Sequence, residues 1–400
     1  LRAPMTFVGP KTYDADGTAL AGTNPYVEWD LNTGIFGANP RGETVESNSG
    51  VINYLNKFGS VGATPGLYKG HDPVGELYYE SLRYLQGLAP TPEAVSSIDA
   101  AKRAGFPAYE SWTDPFDGGS NTKSYACLRN SIMLIGDVKT HNDKSLPGNN
   151  RTENYDFDRT AEVNLANNIP NFKQWTKVIG GFESNNSVSY TDANGITRNT
   201  SNPTAFTDST LWGLEDKDTG SSSAAYYMAG AAYWARTHDI RGTNWTGNSA
   251  KQRPGMRVTT YVLDINEDGA QSTSTNRYKS QFFLTAKYGG FNDIDNDGNP
   301  FTPANELGQF NNRHWEKENA PREAKTYFLA SDAKAVLKAI DDIFIAATKV
   351  TNTISQPAVS GNRLTTDDGY FYLPSFDPEF WSGDLKRNTI KLNTAGDVVQ

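Results

Sequence analysis

Apolar residues along this chain follow two spacings. At 131–136 a short continuous run, Ser-Ile-Met-Leu-Ile-Gly, stops abruptly in a polar loop that opens with Asp137. Such a run predicts a buried parallel strand, with Asp137 delivered at its carboxyl end, where open α/β sheets bind their ligands. Residues 257–263 alternate and are β-branched, predicting a second strand that leads into Asp264, and 326–330 predict a third. Between these runs the spacing becomes helical. Val74, Leu77, Tyr78, Leu82 and Leu85 form a stripe behind Asp72-Pro73, a capping carboxylate followed by a proline that is harmless in a first turn, and Gly87 closes it. Residues 224–238 and 278–288 predict two more helices, the latter stopped by Gly289-Gly290. A fourth, capped by Ser331 or Asp332, carries Val336, Leu337, Ile340, Ile343, Phe344 and Ala347 on one face.

Strands alternating with helices predict an α/β fold, a parallel sheet with helices on both faces. Residues 149–223 are long, polar and rich in Asn, Ser and Thr, which predicts an insertion anchored by Phe172, Trp175, Val178, Ile179 and Phe182. After Thr351 the helical spacing ends, and 354–359, 370–373 and 389–392 read as strands alone. A separate all-β unit is expected there.

Composition removes whole classes of function. With 37% hydrophobic and 21% charged among 400 residues, the chain can bury a large core. It holds no apolar stretch long enough to span a bilayer. A net charge of −9 argues against a nucleic-acid partner, which needs a basic face. Cys127 is the single cysteine, expected as a small buried residue beside the 131–136 strand, and no disulfide can close within the chain. The chain opens without methionine and stops inside an apparent strand, so a longer parent protein is expected.

The sharpest chemical signal is Asp293-Ile-Asp295-Asn-Asp297-Gly298-Asn299. Carboxylates at positions 1, 3 and 5, a glycine at 6 and a backbone carbonyl at 7 wrap oxygen atoms around calcium. Position 12 is Ala304, so a closing carboxylate must come from Glu306 or another segment. The plainer alternative is a solvated acidic turn, although acids so close repel one another unless a cation intervenes. Asp264-Ile-Asn266-Glu-Asp268-Gly269 is a weaker copy with one fewer charge, and reads equally as a turn after the strand.

Catalysis has little to draw on. His71, His141, His238 and His314 are scattered, and neither a serine-hydrolase nor a P-loop signature occurs. Only Thr140-His141-Asn142-Asp143 beside Asp137 could support a reaction, metal-dependent hydrolysis, and a polar loop is the simpler reading.

Two segments, 277–291 and 327–344, together resemble the closing section of a von Willebrand factor A domain: a helix ending in Gly-Gly, a short strand with an aromatic pair, and a last helix. With 50–59, 72–85, 135–144, 226–235 and the Phe376-Asp-Pro to Trp381-Ser-Gly-Asp-Leu385 block added, the chain resembles the PilC/PilY proteins of type IV pili, tip-located adhesins and pilus-biogenesis factors. That resemblance implies a von Willebrand factor A-like domain over 1–355, with insertions at about 149–223 and 292–325. A linker and the first strands of a β-propeller would follow over 356–400. It also implies a non-enzymatic protein of the cell surface and pilus tip, exported through periplasm and outer membrane. Minor pilins and a host or abiotic surface ligand would be its partners; a purely structural assembly component is the alternative. Adhesion sites of this domain type hold magnesium with Asp-x-Ser-x-Ser, a Thr and an Asp. Here Asp137 stands at the third position, His71 or Asp72 at the second, and no Asp-x-Ser-x-Ser occurs, so the implied site is degenerate or completed from upstream.

Overall fold

A computed structural model of the chain describes residues 7–13, 18–44, 47–57, 71–96, 98, 103, 105, 106, 110–116, 129–153, 156–204, 206–220, 224–293, 295–302 and 312–348, and the backbone of the strands beyond. Cys127 and Glu306 lie outside the described residues. Contacts divide the chain into two units, Leu1–Ala339 and Ile340–Gln400.

In the first unit the helices are α1 (Val51–Lys57), α2 (Val74–Gln86), α3 (Pro92–Val95), α4 (Phe172–Ser184), α5 (Tyr227–Thr237), α6 (Ser274–Lys279) and α7 (Gln281–Gly290); α8 (Ala333–Thr348) crosses the division. The strands are β1 (Asn130–Gly136), β2 (Ser189–Thr191), β3 (Thr197–Asn199), β4 (Val258–Asp264), β5 (Glu316–Lys317), β6 (Ala320–Ala324) and β7 (Tyr327–Leu329). β1, β4 and β7 form a three-stranded parallel sheet in that order. The β1–β4 register runs unbroken from Asn130 opposite Val258 to Gly136 opposite Asp264. Parallel strands need long crossovers, and helices supply them: α4 and α5 between β1 and β4, α6 and α7 between β4 and β7. The chain is therefore a mixed α/β protein.

The run at 131–136 is a strand, but it is not the centre of the sheet. Among the described strands β1 lies at an edge, and Ile135 is 52% exposed. The central strand is β4, where successive residues Thr260 to Asp264 are nearly all buried, so both of its faces are covered. Tyr78 of α2 bonds Thr260 of β4 through their hydroxyls at 2.8 Å. Gly289 brings α7 close to Thr260 and to Ala232 of α5; a methyl group there would fall 2.7 Å from the Thr260 Cβ and 2.9 Å from the Ala232 Cβ.

The polar stretch 149–223 contains a core helix. Asn171 caps α4 by accepting from the Gln174 amide, and Phe172, Val178, Ile179 and Phe182 enter the main hydrophobic core. β2 and β3 then form a short antiparallel hairpin. In the second unit β8 (Thr353–Ile354), β9 (Ala358–Val359), β10 (Gly369–Asp377), β11 (Ser382–Leu392) and β12 (Val398–Val399) pair antiparallel, with β10 and β11 matched along nine positions from Gly369 opposite Ile390 to Asp377 opposite Ser382.

Candidate functional site

Helix α7 ends at Gly290, and the acidic loop follows within three residues. One carboxylate oxygen from each of Asp293, Asp295 and Asp297 lies within 4.8 Å of the other two. Among the described residues no other group of three His, Cys, Asp or Glu side chains converges this closely. The Asp293 side chain is 3% exposed; its Oδ1 accepts from the Gly298 amide at 3.0 Å. Its Oδ2 is buried without a hydrogen-bond donor, with the Arg257 guanidinium 3.8 Å away. Asp297 Oδ1 accepts from the Asn299 amide at 2.7 Å, and Asn299 Oδ1 from that of Phe301 at 3.0 Å.

The loop is held from outside as well. Asn194 Nδ2 donates to the Asn296 carbonyl at 3.3 Å, the Tyr190 hydroxyl to that of Asp297 at 2.9 Å, and the Tyr233 hydroxyl to that of Gly298 at 2.6 Å. Gly298 has φ 74°, the left-handed region, and a side chain there would also press on Tyr190 and Tyr233. Burial raises the Asp293 carboxyl, and burial together with the charges of Asp295 and Asp293 pushes Asp297 up to about 6. Acids held together against their own repulsion in an all-oxygen loop have the chemistry of a site for a hard cation such as calcium.

The weaker copy is closed. Asp264 is fully buried at the end of β4; its Oδ2 accepts from the Tyr327 hydroxyl at 2.7 Å and its Oδ1 from the Asn266 amide at 2.9 Å. Asn266 donates to Ser272 and accepts from Gln271, and Asp268 pairs with Lys139 at 2.8 Å. These side chains are taken up by bonds within the turn and by Tyr327 of β7 and Lys139 of the loop after β1.

At the carboxyl edge of the sheet, Asp72 and Asp137 have separate tasks. Asp72 Oδ1 lies 2.6 Å from His141 Nδ1, while Asp137 Oδ1 accepts from the Lys139 amide in its own loop at 2.8 Å. Asp72 does not cap α2. The cap position is Pro73, without a side-chain bond, and the free Gly75 amide is met instead by Asp143 Oδ1 at 2.6 Å. Asp143 is 1% exposed and also accepts from Gln281 Nε2 of α7 at 3.0 Å. Glu76, half-buried in the first turn of α2, accepts from the Ser145 amide of the same loop at 2.7 Å. Sequence spacing could not have joined Glu76, Asp143 and Gln281, which come from three distant segments.

Fold and loop thus define a mixed α/β protein on a small parallel sheet, carrying an acidic, oxygen-lined loop beside it. Residues 71–235 match the family model described as PilY1 homolog, second domain. Over 411 aligned residues the chain is 31% identical to a type IV pilus biogenesis factor PilY1 homolog from Xylella fastidiosa (strain Temecula1), covering 96% of this chain and 30% of that protein. No solved structure matches the chain. The chain is therefore homologous to a PilY1-type protein along nearly all its length, and spans 30% of that relative.

Proposed function

We propose that this chain is part of a PilY1-type pilus biogenesis factor that works without catalysis, holding partners on the loops and insertions around its sheet. The observation that carries the reading is the 31% identity over 96% of the chain to a protein named for type IV pilus biogenesis. The one cluster considered for hydrolysis supports it too: His141 is engaged by Asp72, and Asp143 by Gly75 and Gln281. In this reading residues 1–355 form a von Willebrand factor A-like domain, and the antiparallel strands within 356–400 open a β-propeller. The protein acts outside the cell, at the pilus tip, as an adhesin whose partners are minor pilins and a surface ligand. Calcium bound by Asp293, Asp295, Asp297 and the Asn299 carbonyl stiffens the second insertion.

The test is a pull-down of the purified chain against minor pilins and against host matrix proteins, with and without calcium. Capture by minor pilins supports the reading. Failure to bind either class, together with normal piliation of cells lacking this segment, overturns it.

A further inference from the structure

Arg198, Arg236 and Arg257 lie near the acidic loop, and each is bound differently. Arg236 of α5 places its donors on neutral groups at the base of the loop: Nε on the Phe291 carbonyl at 2.6 Å, Nη1 on the Thr259 hydroxyl at 3.0 Å and Nη2 on Asn292 Oδ1 at 3.5 Å. Arg198 of β3 pairs with Asp192 of its own hairpin at 2.7 Å. Arg257, the residue before β4, reaches the acids themselves. Its Nη1 donates to Asn296 Oδ1 at 3.1 Å and lies 3.8 Å from Asp293 Oδ2, while Nε donates to Asp239 Oδ1 on its other side at 3.4 Å. Among the described residues it is the only basic side chain in ion-pair contact with Asp293, Asp295 or Asp297.

The Asp293 side chain is 3% exposed; the Gly298 amide takes its Oδ1, and its Oδ2 receives no hydrogen bond among the described residues. A buried carboxylate oxygen left open beside two further acids requires a positive charge. At 3.8 Å Arg257 supplies that charge without a hydrogen bond to hold it there. Asp239 offers the guanidinium a second place: its Oδ1 already accepts from Nε, and its Oδ2 is fixed by the Gly255 amide at 2.8 Å. Calcium sits about 2.3–2.6 Å from the carboxylate oxygens that bind it. A guanidinium 3.8 Å from such an oxygen would face a double positive charge at close range.

Resting on the calcium reading of this loop, we propose that Arg257 is its built-in counter-ion: with no cation bound it offsets the charge of Asp293, and calcium displaces it toward Asp239. Binding is then an exchange of one positive group for another. That exchange favours a divalent ion over a monovalent one, whose single charge only matches what the guanidinium already supplies.

Calcium calorimetry on the whole 400-residue chain, as wild type and as Arg257→Gln, tests the counter-ion. Glutamine keeps polar contacts within reach and removes the competing charge, so Arg257→Gln should bind calcium about tenfold more tightly. A residue that merely props the loop would give the reverse. Equal or weaker binding by Arg257→Gln, where wild type binds calcium, overturns the counter-ion and leaves the calcium site standing; no binding by either protein overturns both. A crystal structure of the wild type with calcium tests the displacement, and decides alone if the variant does not fold. Arg257 turned from Asp293 toward Asp239 supports the proposal. A guanidinium still 3.8 Å from Asp293 Oδ2 beside bound calcium overturns it, and a loop without calcium overturns the calcium reading as well.

Discussion

The Tyr233 hydroxyl donates to the Gly298 carbonyl across 2.6 Å, tying α5, a deeply buried helix, to the acidic loop 293–299. Tyr233 is 0% exposed, and burial raises its phenol, so it acts only as a neutral donor. Tyr233→Phe would leave the Gly298 carbonyl short of a partner. A loss of about 1–3 kcal/mol in urea unfolding is expected, together with weaker calcium binding by calorimetry.

Asp295 is the exposed member of the acidic group. Asp295→Ala should leave the melting temperature in chelator nearly unchanged and abolish most of the rise on adding calcium, because a ligand bound only to the native state stabilises that state. A wild-type melting curve that is the same with calcium and with chelator would remove the cation from this loop.

Calcium affinity should also depend on pH. Asp297 sits at about 6, held there by burial and by Asp295 and Asp293, so protons compete with the cation as pH falls toward that value. Calorimetric titrations at about pH 8 and about pH 5.5 should differ, with the tighter binding at the higher pH.

Arg241 is fully buried and forks onto Asp114, with Nη2 to Oδ1 at 2.6 Å and Nη1 to Oδ2 at 3.1 Å. Asp114→Ala strands the guanidinium and should cost about 3–5 kcal/mol. Against the burial that would raise it, bonds to Arg241 and Phe116 bring Asp114 down to about 2. A lowered carboxyl gives stability that is present above the unfolded value and lost as pH falls through the folded one. Acid unfolding of wild type should therefore steepen between about pH 4 and about pH 2, and Asp114→Asn should lack that component.

Gly230 is where α5 touches α4. A methyl group there would run into the Phe172 carbonyl and the Thr176 hydroxyl. Gly230→Ala should destabilise by about 1–3 kcal/mol through overpacking, despite the better helix propensity of alanine, as thermal melting would report.

What could be read from the sequence was local. The expected strand at 257–263 is β4, Val258–Asp264, and Asp332 does cap α8, its carboxylate accepting from the Ala335 amide at 2.9 Å. The expected helix at 278–288 is split at Ser280, whose extended backbone and capping hydroxyl end α6 and start α7. Gly289 and Gly290 are the last two residues of α7, so the helix ends there as expected, and both also lie close to neighbours, Gly289 to Thr260 and Gly290 to Thr326. Strand order was not legible: a continuous apolar run marks a strand but does not say how many neighbours it has. The convergence of Asp293, Asp295 and Asp297 followed from spacing alone, whereas Tyr190, Tyr233 and Arg257 reach the loop only through tertiary packing. The capping of α2 by Asp143, 68 residues away, was hidden for the same reason.

The three donors that hold the carbonyls of Asn296, Asp297 and Gly298 set the thermodynamics of whatever binds there. A segment already shaped by folding gives up little conformational freedom on binding. Cation uptake should therefore show little of the heat-capacity change that accompanies coupled folding, and its signature would be the exchange of hydration water for protein oxygens.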